Sequence, residues 1–133
     1  MLKLVSCLSF CCKRLKSQID TKALYIHMEY INGMCLSSVT DPDSIKFCIA
    51  ELVIAIEEMH NFGVVHGNIC IENVLLDSAG HIKVINFGSA TLVEDKSNPI
   101  NFAHDWHLLG ILLANMLNVD ILPDTHNYLP HKN

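Results

Sequence analysis

Residues 42–61 constrain the fold of this chain more than any other segment. Ile45, Cys48, Ile49, Leu52, Ile56 and Met59 recur there at the three- and four-residue steps that place side chains on one helix face. Both ends are marked. Thr40 and Asp43 make a capping-box pattern, and Pro42 stands in the first turn, where its missing N–H costs nothing. Asn61-Phe62-Gly63 closes the run, Gly being free to take the left-handed conformation of a helix terminus. The pattern predicts a helix over residues 42–61 whose single apolar face must pack against neighbouring elements.

The flanks predict strands. Residues 23–31 (ALYIHMEYI) alternate and are rich in Tyr and Ile, and Asn32-Gly33 ends them as a turn. After the helix, Val64-Val65, Asn73 to Leu76 and His81 to Ile85 read as short strands, with Asp77-Ser78-Ala79-Gly80 as a tight turn between the last two. Residues 93–104, around Pro99, are polar and turn-like. From Trp106 to Leu117 the chain is almost continuously apolar, which predicts a second helix buried on most sides. At the front, alternation of Leu2, Leu4 and Leu8 predicts one strand, followed by a polar connection over 13–22. A secretory signal fits poorly, because the apolar run from Leu4 to Cys12 is short and leads into basic residues. The competing reading is a basic, acylated membrane tether at Cys11 and Cys12 beside Lys13 and Arg14.

Composition narrows the function classes. A chain of 133 residues suffices for one domain, and with half its residues apolar and 17% charged it is not a disordered segment. Nine Lys and Arg against fourteen Asp and Glu, without a basic stripe, argue against nucleic acid as a partner. No run approaches the roughly 18 apolar residues of a membrane span. Cys7, Cys11, Cys12, Cys35, Cys48 and Cys70 show no C-x-x-C pair and read as reduced thiols of a cytoplasmic protein, with Cys48 a small buried hydrophobe. His104 and His107 form an isolated H-x-x-H and do not read as a metal site. Glu57 and Glu58 read as a solvated helix face, Glu72 as a local ion pair or surface group, and His81 as a turn residue.

Four segments, in this order, resemble the lower lobe of a eukaryotic protein kinase. LYIHMEYING (24–33) resembles the strand, hinge and turn that meet the adenine. HGNICIEN (66–73) lies where kinases carry the catalytic loop H-R-D-L-x-x-x-N. NFG (86–88) lies at the D-F-G position, after HIKVI, and DWHLLGILLANML resembles the start of the buried central helix. The phrasing is closest to the AGC group of Ser/Thr kinases. The resemblance implies an α+β, mainly helical, partial kinase-like fold that runs through the lower lobe to the central buried helix. Residues 1–122 would form it, with 1–31 as upper-lobe strand remnants and hinge and 32–122 as the lower lobe, before a loose tail at 123–133.

It also implies a site that has lost its chemistry. The position of the proton-accepting carboxylate is Asn68, and an amide has no useful basicity. The D-F-G metal ligand is Asn86, a neutral donor, so with Asn73 at the second metal position it leaves only a weak cation site. The lysine near the transferred phosphate is Cys70. The sequence holds no Gly-rich loop and no A-P-E, and only 16 residues separate Gly88 from Asp105. His66 and Phe87 match the lower members of the kinase hydrophobic spine, and Asp105 matches the helix residue that anchors it. Leu75, Leu112 and Met116 match the column beneath an adenine ring, which Glu29 and Ile31 of the hinge would border, yet any kinase-like fold must pack such residues as core. The expectation is a catalytically inactive, pseudokinase-like fragment that works as an interaction or regulatory module. It requires no cofactor, binds ATP and magnesium weakly or not at all, and meets a protein partner on exposed apolar surface of the lower lobe. The alternative is a truncated product of a Ser/Thr kinase-like gene whose full form binds ATP and phosphorylates protein Ser/Thr.

Overall fold

Pro42–Asn61 forms helix α1, with the bounds the periodicity predicts. The computed structural model describes residues 5–120. The cap differs by one residue from the expected box: Asp41, not Thr40, is the N-cap, and its Oδ2 accepts from the Ser44 N–H at 2.9 Å. Asp is as good a cap as Thr, and Pro42 then falls at the first helical position. Leu52, Ala55, Ile56 and Met59 are wholly buried, and Gly63 takes φ 74° just past the helix, as its sequence position requires.

Arg14–Ile19 (β1) and Leu24–Met28 (β2) form an antiparallel hairpin with a bulge between Arg14 and Lys16. The expected polar connection over 13–22 is therefore largely a strand. Alternation of apolar residues reports burial on one face, and β1 is exposed on both, so its sequence carries no such signal. Asp20 makes the turn, its Oδ1 accepting from the Lys22 and Ala23 N–H groups. Residues 6–10 are turns and bends instead of a strand, with Phe10 and Cys12 bonded to Val84; Leu2 and Leu4 lie outside the described residues, as do residues 121–133, including the end of the expected domain and its tail.

Gly33–Cys35 (β3), Val74–Asp77 (β5) and Ile82–Val84 (β6) form an antiparallel sheet in the order β3-β5-β6, while Val64–Val65 (β4) pairs with Thr91–Leu92 (β7). The β4 to β6 strands were legible in sequence; β3 and β7 were not. Asn32-Gly33 is not a terminal turn. Gly33 pairs with Asp77, and a Cβ on it would fall 1.5 Å from the Leu76 carbonyl oxygen, so Gly is needed for close approach of two strands.

Helix α2, Ala103–Met116, follows a short 3-10 turn at Pro99–Phe102 and so begins earlier than the apolar run suggests. It is not buried on most sides. Asp105, Leu109, Leu112 and Met116 form one buried stripe, while His107 and Leu117 are exposed and Trp106 is exposed on part of its ring. The core joins that stripe to the apolar face of α1, the β3-β5-β6 sheet, and Val5, Leu8 and Cys11. Cys11 and Cys12 are 0% and 2% exposed, and burial with the Glu58 carboxylate nearby pushes the Cys11 thiol up to about 12. Neither thiol is presented at the surface in this fold. Glu57 is exposed as expected, but Glu58 is half-buried and its Oε2 has no hydrogen-bond partner. No helix among the described residues is long and apolar enough to cross a membrane.

Candidate functional site

Asp105 organises the site. It is fully buried at the start of α2, and its two oxygens accept three hydrogen bonds: from the His66 and Gly67 backbone N–H groups and from His60 Nε2, each 2.9 Å. Burial opposes its charge, yet these three donors outweigh burial and hold the carboxyl below the usual range. The carboxylate thereby fixes the loop after β4 by its backbone.

His66, also fully buried, continues the chain of bonds. Its Nε2 donates to the Ile85 carbonyl at 2.9 Å and its Nδ1 accepts from the Asn68 N–H at 3.2 Å. An Nδ1 that accepts carries no proton, so the ring is neutral, and burial lowers its pKa in agreement. The ring meets Phe87 edge-on, centroids 5.0 Å apart.

Beyond Asn68, two amides close on each other. Asn73 Nδ2 donates to the Asn68 carbonyl at 3.0 Å, and Asn86 Nδ2 donates to Asn73 Oδ1 at 3.2 Å. Asn86 sits in the left-handed conformation (φ 60°), and its Oδ1 accepts from the Gly88 N–H at 3.3 Å. Backbone partners at both ends thus settle which way each amide points. Both amide oxygens are neutral and already occupied by donors, so the pair does not suit a divalent cation, which prefers charged oxygens. Among the described residues no cluster of three His, Cys, Asp or Glu could hold a metal ion.

The structure therefore brings together His66, Asn68, Asn73, Asn86, Phe87 and Asp105. Cys70 stands beside them outside the bond chain: burial raises its thiol, and Glu72 accepts from it. Glu72 is exposed, in keeping with the surface reading, and among the described residues it forms no ion pair. The proposed adenine border is divided. Leu112 and Met116 are core residues, Leu75 is half-buried on the opposite face of β5 from Val74 and Leu76, and Ile31 is half-buried. Glu29 is engaged at the hairpin base, its Oε1 accepting from the Lys13 N–H at 2.8 Å.

Two residues escaped the sequence reading. His60 stacks on Phe102 at 4.5 Å and meets Trp106 edge-on at 5.4 Å while bonded to Asp105. It lies four residues after Ile56 on the buried face of α1, so the helical period was its signal. Glu51, equally buried, accepts from the Ile82 N–H at 2.9 Å and from His81 Nδ1 at 2.6 Å. His81 ends the turn, as read, but it also ties that turn to α1.

These groups set opposing pH dependences. The folded pKa of His66 is depressed, so the folded state binds fewer protons than the unfolded chain once pH falls below the ordinary histidine value near 6.5. Stability is then lost on acidification, and the lowered Asp105 adds a second loss as pH falls through the carboxylate range. His81, raised chiefly by its hydrogen bond to Glu51, acts oppositely: its contribution is complete below 6.5 and lost as pH rises through its folded value. His66 is fully buried, whereas the His81 side chain is 54% exposed and its pairing is screened by solvent. The His66 loss should therefore dominate, and the urea midpoint should fall as pH drops from about 7 to about 5. His66→Phe should be less stable throughout but flatter over that interval, and His81→Asn steeper.

The family model described as the protein kinase domain matches residues 1–107. A probable serine/threonine-protein kinase of Dictyostelium discoideum is 32% identical over 125 residues, covering 74% of this chain and 27% of the relative. The cAMP-dependent protein kinase catalytic subunit of the same organism is 33% identical over 121 residues, 74% of this chain and 19% of the relative. A putative ribosomal protein S6 kinase alpha-2 of Caenorhabditis elegans is 41% identical over 81 residues, 56% and 10%. The chain thus spans about a quarter or less of the length of these relatives.

Proposed function

The chain belongs to the protein kinase domain family, and from that premise we propose that it acts by binding instead of phosphoryl transfer, as a kinase-like interaction or regulatory module. Phosphoryl transfer depends on positioned charge: a carboxylate at the nucleophile's proton and metal ions on the phosphates. The observation that carries the reading is the Asn86–Asn73 bond. One amide donates to the other where the family's motif would hold cations, and Asn68 supplies a third amide at the proton-accepting position. In this reading Asp105, His66 and Phe87 serve to hold the fold, residues 32–122 correspond to the lower lobe and 1–31 to upper-lobe strands and hinge. The partner is a protein in the cytoplasm, and exposed Ile100, Trp106 and Leu117 offer it apolar surface.

The second reading is that this sequence is part of a longer Ser/Thr kinase-like protein that binds ATP and transfers phosphate. The length of the relatives favours it. Thermal unfolding with and without millimolar ATP and magnesium separates the two. A ligand at 100 times its dissociation constant adds about 2.7 kcal/mol, so binding would be plain. The expected result is no shift for the wild-type chain. Asn86→Asp, which restores a carboxylate, should make the midpoint rise with magnesium or manganese. A wild-type midpoint that rises with ATP and magnesium overturns the binding-only reading in favour of the second.

A further inference from the structure

A cavity of about 590 Å³ opens where β3, β5 and the start of α1 meet, and it shares no residue with the amide site. Leu76 and Cys48 line it as buried apolar residues, and Met34 and Phe47 line it while exposing 56% and 49% of their surface. Asp41 and Asp43 also line it. Among the described residues neither carboxylate has an ion pair, and no Lys or Arg lines the cavity. His81 approaches Phe47, ring centroids 6.1 Å apart, but it is held by Glu51, so it does not neutralise the rim. The cavity is therefore apolar inside and acidic at its edge.

The β1–β2 hairpin has the complementary character. It stands as a two-stranded sheet of its own, with Leu15, Ile19, Leu24 and Ile26 exposed. Its basic residues Lys13, Arg14, Lys16 and Lys22 are nearly half of the chain's nine, against two acids, Asp20 in the turn and Glu29 at the base. Residues 13–29 thus carry a net charge of +2, and the remainder of the chain, with five basic and twelve acidic residues, carries −7, which together give the net −5. Among the described residues, no further element covers the basic hairpin with its bare aliphatic side chains or the acid-rimmed apolar groove.

We propose that the chain associates with itself, the β1–β2 hairpin of each copy seating Leu15 and its basic neighbours in the groove at the start of α1 of the other. The exchange is reciprocal, so two copies close a two-fold dimer with two equivalent contacts and leave no free end to polymerise. Burial of the aliphatic side chains supplies the attraction, and opposite charges fix which surface meets which. The proposal does not depend on the kinase reading.

Sedimentation of the full chain over a range of concentrations tests it. The expected result is a monomer–dimer equilibrium that weakens at high salt, because exposed charges are screened. Lys16→Glu and Asp43→Lys should each weaken association about tenfold or more. Mixing these two variants should restore dimer, because one contact is then native and the other has its charges exchanged. Phe47→Glu and Leu15→Ser, both at exposed positions, should also give monomer, with thermal melts confirming that each variant is folded. A wild-type chain that stays monomeric, or a dimer indifferent to these substitutions, overturns the proposal. So does a monomer that instead binds a Lys-Arg-Leu-Lys peptide in the groove, which would assign the surface to another protein.

Discussion

Asp105→Ala should destabilise the chain by about 3–5 kcal/mol, the cost of removing one partner from a buried, charge-assisted cluster. The substitution takes away the acceptor of three bonds at once and leaves the His66 and Gly67 N–H groups buried without partners. A domain of this size has about 5–15 kcal/mol in total, so the variant should be close to unfolding at room temperature. Urea unfolding followed by far-UV circular dichroism measures it. Asp105→Asn should lose less: one oxygen can still accept from His66 and His60, while the new NH2 group faces the Gly67 N–H donor. A loss below about 1 kcal/mol for the Ala variant would show that the loop after β4 is held by something other than this carboxylate.

Leu112→Ala should cost about 2–5 kcal/mol in the ligand-free protein, the range for a large-to-small change in a core that cannot fully collapse. Leu112 is 1% exposed and packed within the cluster that joins α1, α2 and the β3-β5-β6 sheet. Leu75→Ala should cost clearly less, since Leu75 is only half-buried on β5. The pair separates two roles that the kinase resemblance assigns together. If both residues were chiefly the floor of a ligand pocket, neither truncation would much affect the empty protein. Equal and small losses in a denaturant titration would favour that view, and a large loss confined to Leu112 assigns it to packing.

The two substitutions also mark how far the sequence could be read. Leu112 and Asp105 are legible in the sequence because they fall in a segment that resembles the kinase central helix. That both fall on the one buried stripe of α2 is not legible there. An almost wholly apolar run has no periodicity from which to choose a face. His60 and Glu51 were missed for the opposite reason: polar residues are scored as surface, and each is buried only because a partner elsewhere in the chain satisfies it. The amide pair was half visible. Asn73 and Asn86 read as weak metal ligands, but no sequence pattern tells that one donates to the other.

What the sequence determined by itself was local or depended on order. The bounds of α1, the strands β4 to β6, the left-handed Gly63 and the sequence of kinase-like motifs all follow from neighbouring residues or from spacing along the chain. What only the tertiary structure decided was pairing at a distance. Strand β1 exists because β2 lies beside it, Gly33 is needed because Leu76 crosses it, and α2 buries one stripe because α1 and the sheet cover only that side. The physical reason is that backbone preference and helical period act within a few residues. Satisfying a buried carboxylate or choosing which apolar face to cover requires groups that the chain brings together only when it folds.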